Sequence, residues 1–181
     1  GHLRHKIIDA LPYALTNSQQ EAAKAIASDL NEPVRMLRLL QGDVGSGKTV
    51  VALLAAAAVT ETGKQSALMA PTEILAEQHY LSMRALFAGI GLNIALLTGS
   101  VKAAEKKAIY VALNEGKIDL LIGTHALIEG NAVFHDLALV VIDEQHRFGV
   151  NQRNALFMKG NDPDLLVMTA TPIPRTLAMT V

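Results

Sequence analysis

Eight consecutive residues, Gly42-Asp43-Val44-Gly45-Ser46-Gly47-Lys48-Thr49, have the spacing needed to hold a triphosphate. The pattern G-x-x-x-x-G-K-T lets the backbone curl so that successive N–H groups point at phosphate oxygens. A helix beginning at Lys48 adds its positive dipole end, worth roughly 0.3–1 kcal/mol and up to about 2 in sheltered geometry. Gly42, Gly45, Ser46, Gly47 and Val50 then form the cradle. Lys48 places a point charge on the outer phosphates, and the Thr49 hydroxyl is a ligand for Mg²⁺. The implied ligand is Mg-ATP.

A second group lies downstream. Leu139-Val140-Val141-Ile142 is an apolar run of strand character that ends in Asp143-Glu144. Asp143 is placed to hold Mg²⁺, directly or through water. Glu144 is the candidate general base for an attacking water. Lys48, Asp143 and Glu144 are therefore the candidate catalytic set, with Thr49 and Asp143 as metal ligands. In open α/β sheets ligands gather at the carboxyl ends of strands, which is where both groups fall.

The elements that must position them are legible as alternating runs. Ser18 and Glu21 have capping-box spacing at the head of a helix from Thr16 to Leu30, which Asn31-Glu32-Pro33 stops. Strands are expected at Met36–Leu40, Ser66–Ala70, Leu92–Leu97, Ile118–Ile122, Leu137–Ile142 and Leu165–Met168. Helices are expected at Lys48–Glu61, closed by Gly63; from Pro71-Thr72 to about Phe87; at Lys102–Asn114, with Gly116 behind it; and at Asn151–Lys159. Pro174 suits the first position of a terminal helix. That helix has barely begun at Val181, so the chain reads as part of something longer. Near-continuous apolar strands separated by helices predict a three-layer α/β domain with a mainly parallel central sheet. Gly1-His2 reads as a cloning remnant. Residues 1–10 are taken as a lead-in and residues 11–181 as the ATP-binding domain.

Composition sets the outer limits. Of 181 residues, half are hydrophobic and 18% charged, enough to build a buried core. Lys and Arg number 16 against 17 Asp and Glu, so no global charge draws the chain to nucleic acid. Any such binding must use local N–H groups, hydroxyls and a few cations. Cysteine is absent, which excludes disulfides and thiolate zinc sites. No apolar run reaches the roughly 18–20 residues of a membrane span.

The acidic pair continues as Asp143-Glu144-Gln145-His146-Arg147-Phe148-Gly149, a variant of the DEAD/DEAH-type motif II of superfamily 2 helicases. Leu15-Thr16-Asn17-Ser18-Gln19 resembles the adenine-reading Q motif, and Ala70-Pro71-Thr72-Glu73-Ile74-Leu75-Ala76-Glu77-Gln78-His79 resembles motif Ia. Leu97-Thr98-Gly99-Ser100 and Gly123-Thr124-His125-Ala126-Leu127 stand where later nucleic-acid motifs stand, and Thr169-Ala170-Thr171 where motif III does. DEQHRFG and TATPIPRTLAMT are similar to the RecG family of branched-DNA helicases. The transcription-repair coupling factor, which shares HRFG and TATPIPRTL but usually carries Glu at the place of Gln145, is the nearest rival. The resemblance implies a RecA-like P-loop fold for the domain. It implies a base contact for Gln19 and nucleic-acid contacts for Pro71, Thr72, Thr98, Gly99, Thr124 and His125. His146, Thr169 and Thr171 would couple hydrolysis to movement. It implies branched duplex DNA as partner, at stalled forks and junctions in recombination and repair, and a bacterial cytoplasmic location. A second RecA-like domain with an arginine finger, and a wedge domain, would lie outside these 181 residues. Alone, the chain is then expected to bind nucleotide weakly, hydrolyse it slowly and unwind nothing.

Other readings are blander. Thr72, Thr98, Ser100 and Thr124 follow apolar strands, where hydroxyls suit phosphate contacts but also serve as helix caps. His79 and His125 are expected to make structural hydrogen bonds. Lys102, Lys106 and Lys107 read as a solvated helix face. A vestigial nucleotide site is disfavoured by the intact Lys48, Asp143 and Glu144. A small-molecule kinase would need an acceptor pocket and basic lid residues that the sequence does not show.

Overall fold

Apolar strands become parallel here because both of their faces are covered. The structure, a computed structural model, describes residues 2–11, 14–30, 37–41, 48–87, 90–127, 132–143, 158–160, 163–169 and 178–180. Within them run α1 (His2–Ala10), α2 (Asn17–Leu30), β1 (Leu37–Gln41), α3 (Lys48–Glu61), β2 (Gln65–Met69) and α4 (Glu73–Phe87). There follow β3 (Ile94–Leu97), α5 (Ala103–Asn114), β4 (Leu120–Gly123), β5 (Leu137–Asp143), β6 (Asp164–Thr169) and β7 (Ala178–Thr180), with a 3-10 turn at His125–Leu127 after β4. The seven strands form one sheet in the order β3-β4-β2-β5-β6-β1-β7. Every pairing is parallel.

Two apolar clusters lie on the two faces of the sheet. Leu68, Leu139 and Val141 pack with Ile7, Ile26, Leu53, Leu54, Ala76 and Met83, which come from α1 to α4. Ala67, Met69, Val140 and Ile142 pack with Leu113 of α5 and with Leu127 and Phe134. This is the expected three-layer arrangement. Helix α3 is buried almost all round, from Val50 to Ala57 and at Val59. Its alanines carry little side-chain bulk, so α1, α2 and the sheet can approach it closely.

Glycines end two helices in the same way. Gly63 and Gly116 have φ of 80° and 76°. At α5 the Gly116 N–H donates to the Leu113 carbonyl and the Lys117 N–H to the Ala112 carbonyl. At α3 the Gly63 and Lys64 N–H groups donate to Thr60 and Val59. These are Schellman closures, which need a left-handed residue.

Some details differ from the sequence expectations. The stretch 1–10, read as a lead-in, is helical at His2–Ala10, with Ile7 fully buried. The cap of α2 is Thr16 with Gln19, not Ser18 with Glu21. The Gln19 N–H donates to Thr16 Oγ1 at 3.1 Å, and the Thr16 N–H donates to Gln19 Oε1 at 2.9 Å. Threonine-x-x-glutamine satisfies the same box two residues earlier, so the helix begins at Asn17. The expected terminal helix is not seen at 178–180. That segment is strand β7, hydrogen-bonded to β1 with Leu39 opposite Ala178. Pairing there satisfies backbone groups of β1 that an open sheet edge would leave exposed. Within the expected helix at 151–159, residues 151–157 lie outside the described residues, and Met158-Lys159 stand in a turn.

Candidate nucleotide and nucleic-acid site

The register of the sheet sets the site. Asp143 of β5 and Leu40 of β1 both pair with Met168 of β6, so the three lie on one rung. Strand β1 ends one residue past that rung, at Gln41. With strands about 4.8 Å apart, β1 and β5 are about 10 Å apart across β6. The acidic strand end and the carboxyl end of β1, which precedes α3 in the chain, therefore flank the same point on the carboxyl edge. Thr169, paired with Gln41, sits one rung further out between them and is buried.

Helix α3 opens directly on Lys48 and Thr49, both half-buried, and has no acidic residue in its first turn. A cation at a helix N-terminus opposes the helix dipole. Placing Lys48 there, with no acidic residue in that first turn, makes sense when an anion binds at that end. Val50 is turned into the core.

Asp143 is only 4% exposed. Its Oδ2 lies 2.7 Å from His79 Nε2 on α4. A carboxylate only accepts, so Nε2 carries the proton in this bond. The sequence anticipated a structural hydrogen bond for His79 but not its partner. No pattern links residues 64 apart in the chain. Only the packing of α4 on β3 and β4, with His79 reaching across to the end of β5, brings them together.

Gln19 is 3% exposed, and its Oε1 is engaged by the Thr16 N–H. The amide is thus fixed by the cap of α2. Gly42, Gly45, Ser46 and Gly47, together with Glu144, His146 and Thr171, lie outside the described residues.

The candidate nucleic-acid residues occupy the other half of the same edge. Leu97, Gly123 and Met69 share a rung, so Thr98, Thr124 and Ala70 leave the sheet side by side. Gly123 permits this, because a Cβ there would collide with the Leu97 carbonyl oxygen. Thr98 and Thr124 are buried at 1% and 4% rather than open. Thr98 Oγ1 is 3.1 Å from Ser100 Oγ. Thr72, Gly99, Ser100 and His125 are the exposed members, and Pro71 is half-buried. Thr72 Oγ1 accepts the Leu75 N–H at 3.2 Å, the capping role that the sequence allowed for it.

The donor set can be tested against Mg²⁺. Among the described residues no three His, Asp or Glu side chains are grouped to hold an ion. One carboxylate and one hydroxyl are too few for a resident metal. They match Mg²⁺ that keeps waters and arrives with phosphate oxygens.

Comparison with known proteins agrees with this geometry. The family model described as DEAD/DEAH box helicase matches residues 16–180. The ATP-dependent DNA helicase RecG of Staphylococcus aureus is 59% identical over 174 residues, covering 96% of this chain and 25% of that relative. RecG of Synechocystis is 55% identical over 181 residues, covering 100% of this chain and 22% of that relative. The solved structure of RecG bound to a three-way DNA junction superposes with a TM-score of 0.84 at 49% identity, covering 95% of this chain and 23% of that one. The chain thus spans about a quarter of the length of the relatives it matches. No helix among the described residues is long and apolar enough to cross a membrane.

Proposed function

Because the chain belongs to the DEAD/DEAH box helicase family, we propose that it is the ATP-hydrolysing motor domain of a helicase that remodels branched DNA. The observation carrying this reading is the shared rung of Asp143 and Leu40, which brings the acidic strand end close to the carboxyl end of β1, where the glycine-rich sequence Gly42–Thr49 begins. In this reading residues 11–181 form the ATP-binding domain, with α1 packed on it.

Lys48 and the N–H groups at the head of α3 bind and orient the phosphates. Gly42, Gly45, Ser46, Gly47 and Val50 complete the cradle, and Gln19 meets the base. Thr49 and Asp143 hold Mg²⁺, which when bound neutralises charge on the outer phosphates. Glu144 orients the attacking water and takes its proton. Thr169, His146 and Thr171 relay the state of the nucleotide. Pro71, Thr72, Thr98, Gly99, Thr124 and His125 line the DNA side. Contacts there go to the backbone and read no sequence. Branched duplex DNA, a second RecA-like domain with an arginine finger and a wedge domain are the partners proposed, in a bacterial cytoplasm.

The test is ATP turnover by a longer protein that contains this chain. Three-way junction DNA should stimulate it several-fold over linear duplex, and stalled RNA polymerase should not. Equal turnover with junction and linear DNA would remove branched DNA as the substrate. Stimulation by the polymerase would transfer the chain to the coupling factors.

A further inference from the structure

Asp143 is not free to turn. Its Oδ2 is fixed at 2.7 Å by His79 Nε2, and both side chains are largely buried, at 5% and 13% exposure. His79 stands two turns into α4, whose first turn is capped by Thr72 and whose entry, Pro71-Thr72, leaves the end of β2. Helix α4 packs on β3 and β4 while its His79 reaches Asp143 of β5, so it links the half of the edge with Thr98 and Thr124 to the half with Asp143.

We propose that His79 is a positioning residue for the metal-binding carboxylate: it holds Asp143 Oδ2 and so presents Oδ1 to Mg²⁺ or to its water. This rests on reading Asp143 as the metal carboxylate. A carboxylate held by two soft torsions loses rotational freedom on binding a metal. A buried N–H that already fixes one oxygen removes much of that cost. Outer partners of metal ligands typically contribute 10–100-fold to metal affinity or activity. The same bond ties α4, which packs on β3 and β4, to the end of β5, so a shift of the Pro71-Thr72 end would move the group that orients Asp143.

The experiment measures metal affinity, not turnover. A fluorescent ATP analogue is bound to the 181-residue chain, and Mn²⁺ is titrated in with its electron paramagnetic resonance signal as readout. His79→Ala should raise the Mn²⁺ concentration for half-saturation about 10–100-fold. Analogue binding in EDTA should be unchanged. His79→Gln, whose amide N–H reaches the place of Nε2, should restore most of the metal affinity, whereas the shorter His79→Asn should not. The double variant with Asp143→Asn should be no worse than Asp143→Asn alone. An unchanged metal requirement in His79→Ala, or losses that add in the double variant, would overturn the proposal. If Asp143→Asn itself leaves the metal requirement unchanged, the underlying reading of Asp143 is what fails. Should His79→Ala unfold, the His79→Gln and His79→Asn pair decides alone: equal metal affinity in the two sinks the idea.

Discussion

Replacing Lys48 by alanine should lower ATP turnover by about 10²–10³-fold, the usual cost of losing one preorganised charge or donor at a developing anion. The residue opens α3 where its charge opposes the dipole, with no acidic partner in the first turn. Removing it should therefore leave thermal stability unchanged or raise it by roughly 0.3–1 kcal/mol. That pairing of lost activity with kept or improved stability separates a ligand-binding lysine from a structural one. Turnover is read on a longer protein that contains the chain, and melting on the 181-residue chain. A Lys48→Ala protein that melts lower and still turns over ATP normally would reverse the assignment.

The second large effect is on stability. Gln65 is 3% exposed at the start of β2. Its Nε2 donates to the Leu113 and Ile118 carbonyls, both at 2.9 Å, and its Oε1 accepts the Asp136 N–H at 2.9 Å. One amide thus ties the end of α5, the approach to β4 and the approach to β5. Gln65→Leu keeps the volume but leaves the buried Ile118 carbonyl and the part-buried Asp136 N–H without this partner. The Leu113 carbonyl keeps the Gly116 N–H. At about 1–3 kcal/mol for the buried orphaned group and about 1 for the part-buried one, the loss should be roughly 2–4 kcal/mol. It is measured as a fall in denaturant midpoint at unchanged slope. Gln65 lies at the amino end of β2, opposite the site, so nucleotide affinity at temperatures below melting should not change. A fall of less than about 0.5 kcal/mol would mean that water replaces these bonds.

Where local chemistry decided the outcome, the sequence was readable. The run Leu139–Asp143 became β5 with its carboxylate at the tip, and Gly63 and Gly116 closed α3 and α5 as expected. Lys48–Glu61 is helical over the full expected range. Other outcomes depended on partners distant in the chain. Two capping boxes overlap at the head of α2, and Thr16 with Gln19 forms the one seen. Residues 178–180 pair with β1, a choice made by the sheet edge rather than by local propensity. Gln65 looked like one polar residue before an apolar run, and its three bonds reach 48, 53 and 71 residues along the chain. His79 carried a motif resemblance that pointed to nucleic acid, while its side chain meets Asp143. Burial of Thr98 and Thr124 likewise followed from neighbours the local sequence does not name.

The most direct measurement is a crystal structure of the chain with Mg²⁺ and a non-hydrolysable ATP analogue. The account expects the phosphates at the head of α3 against Lys48, with one metal between Thr49 Oγ1 and the Asp143 carboxylate. A nucleotide bound elsewhere, or a metal that touches neither residue, would contradict it.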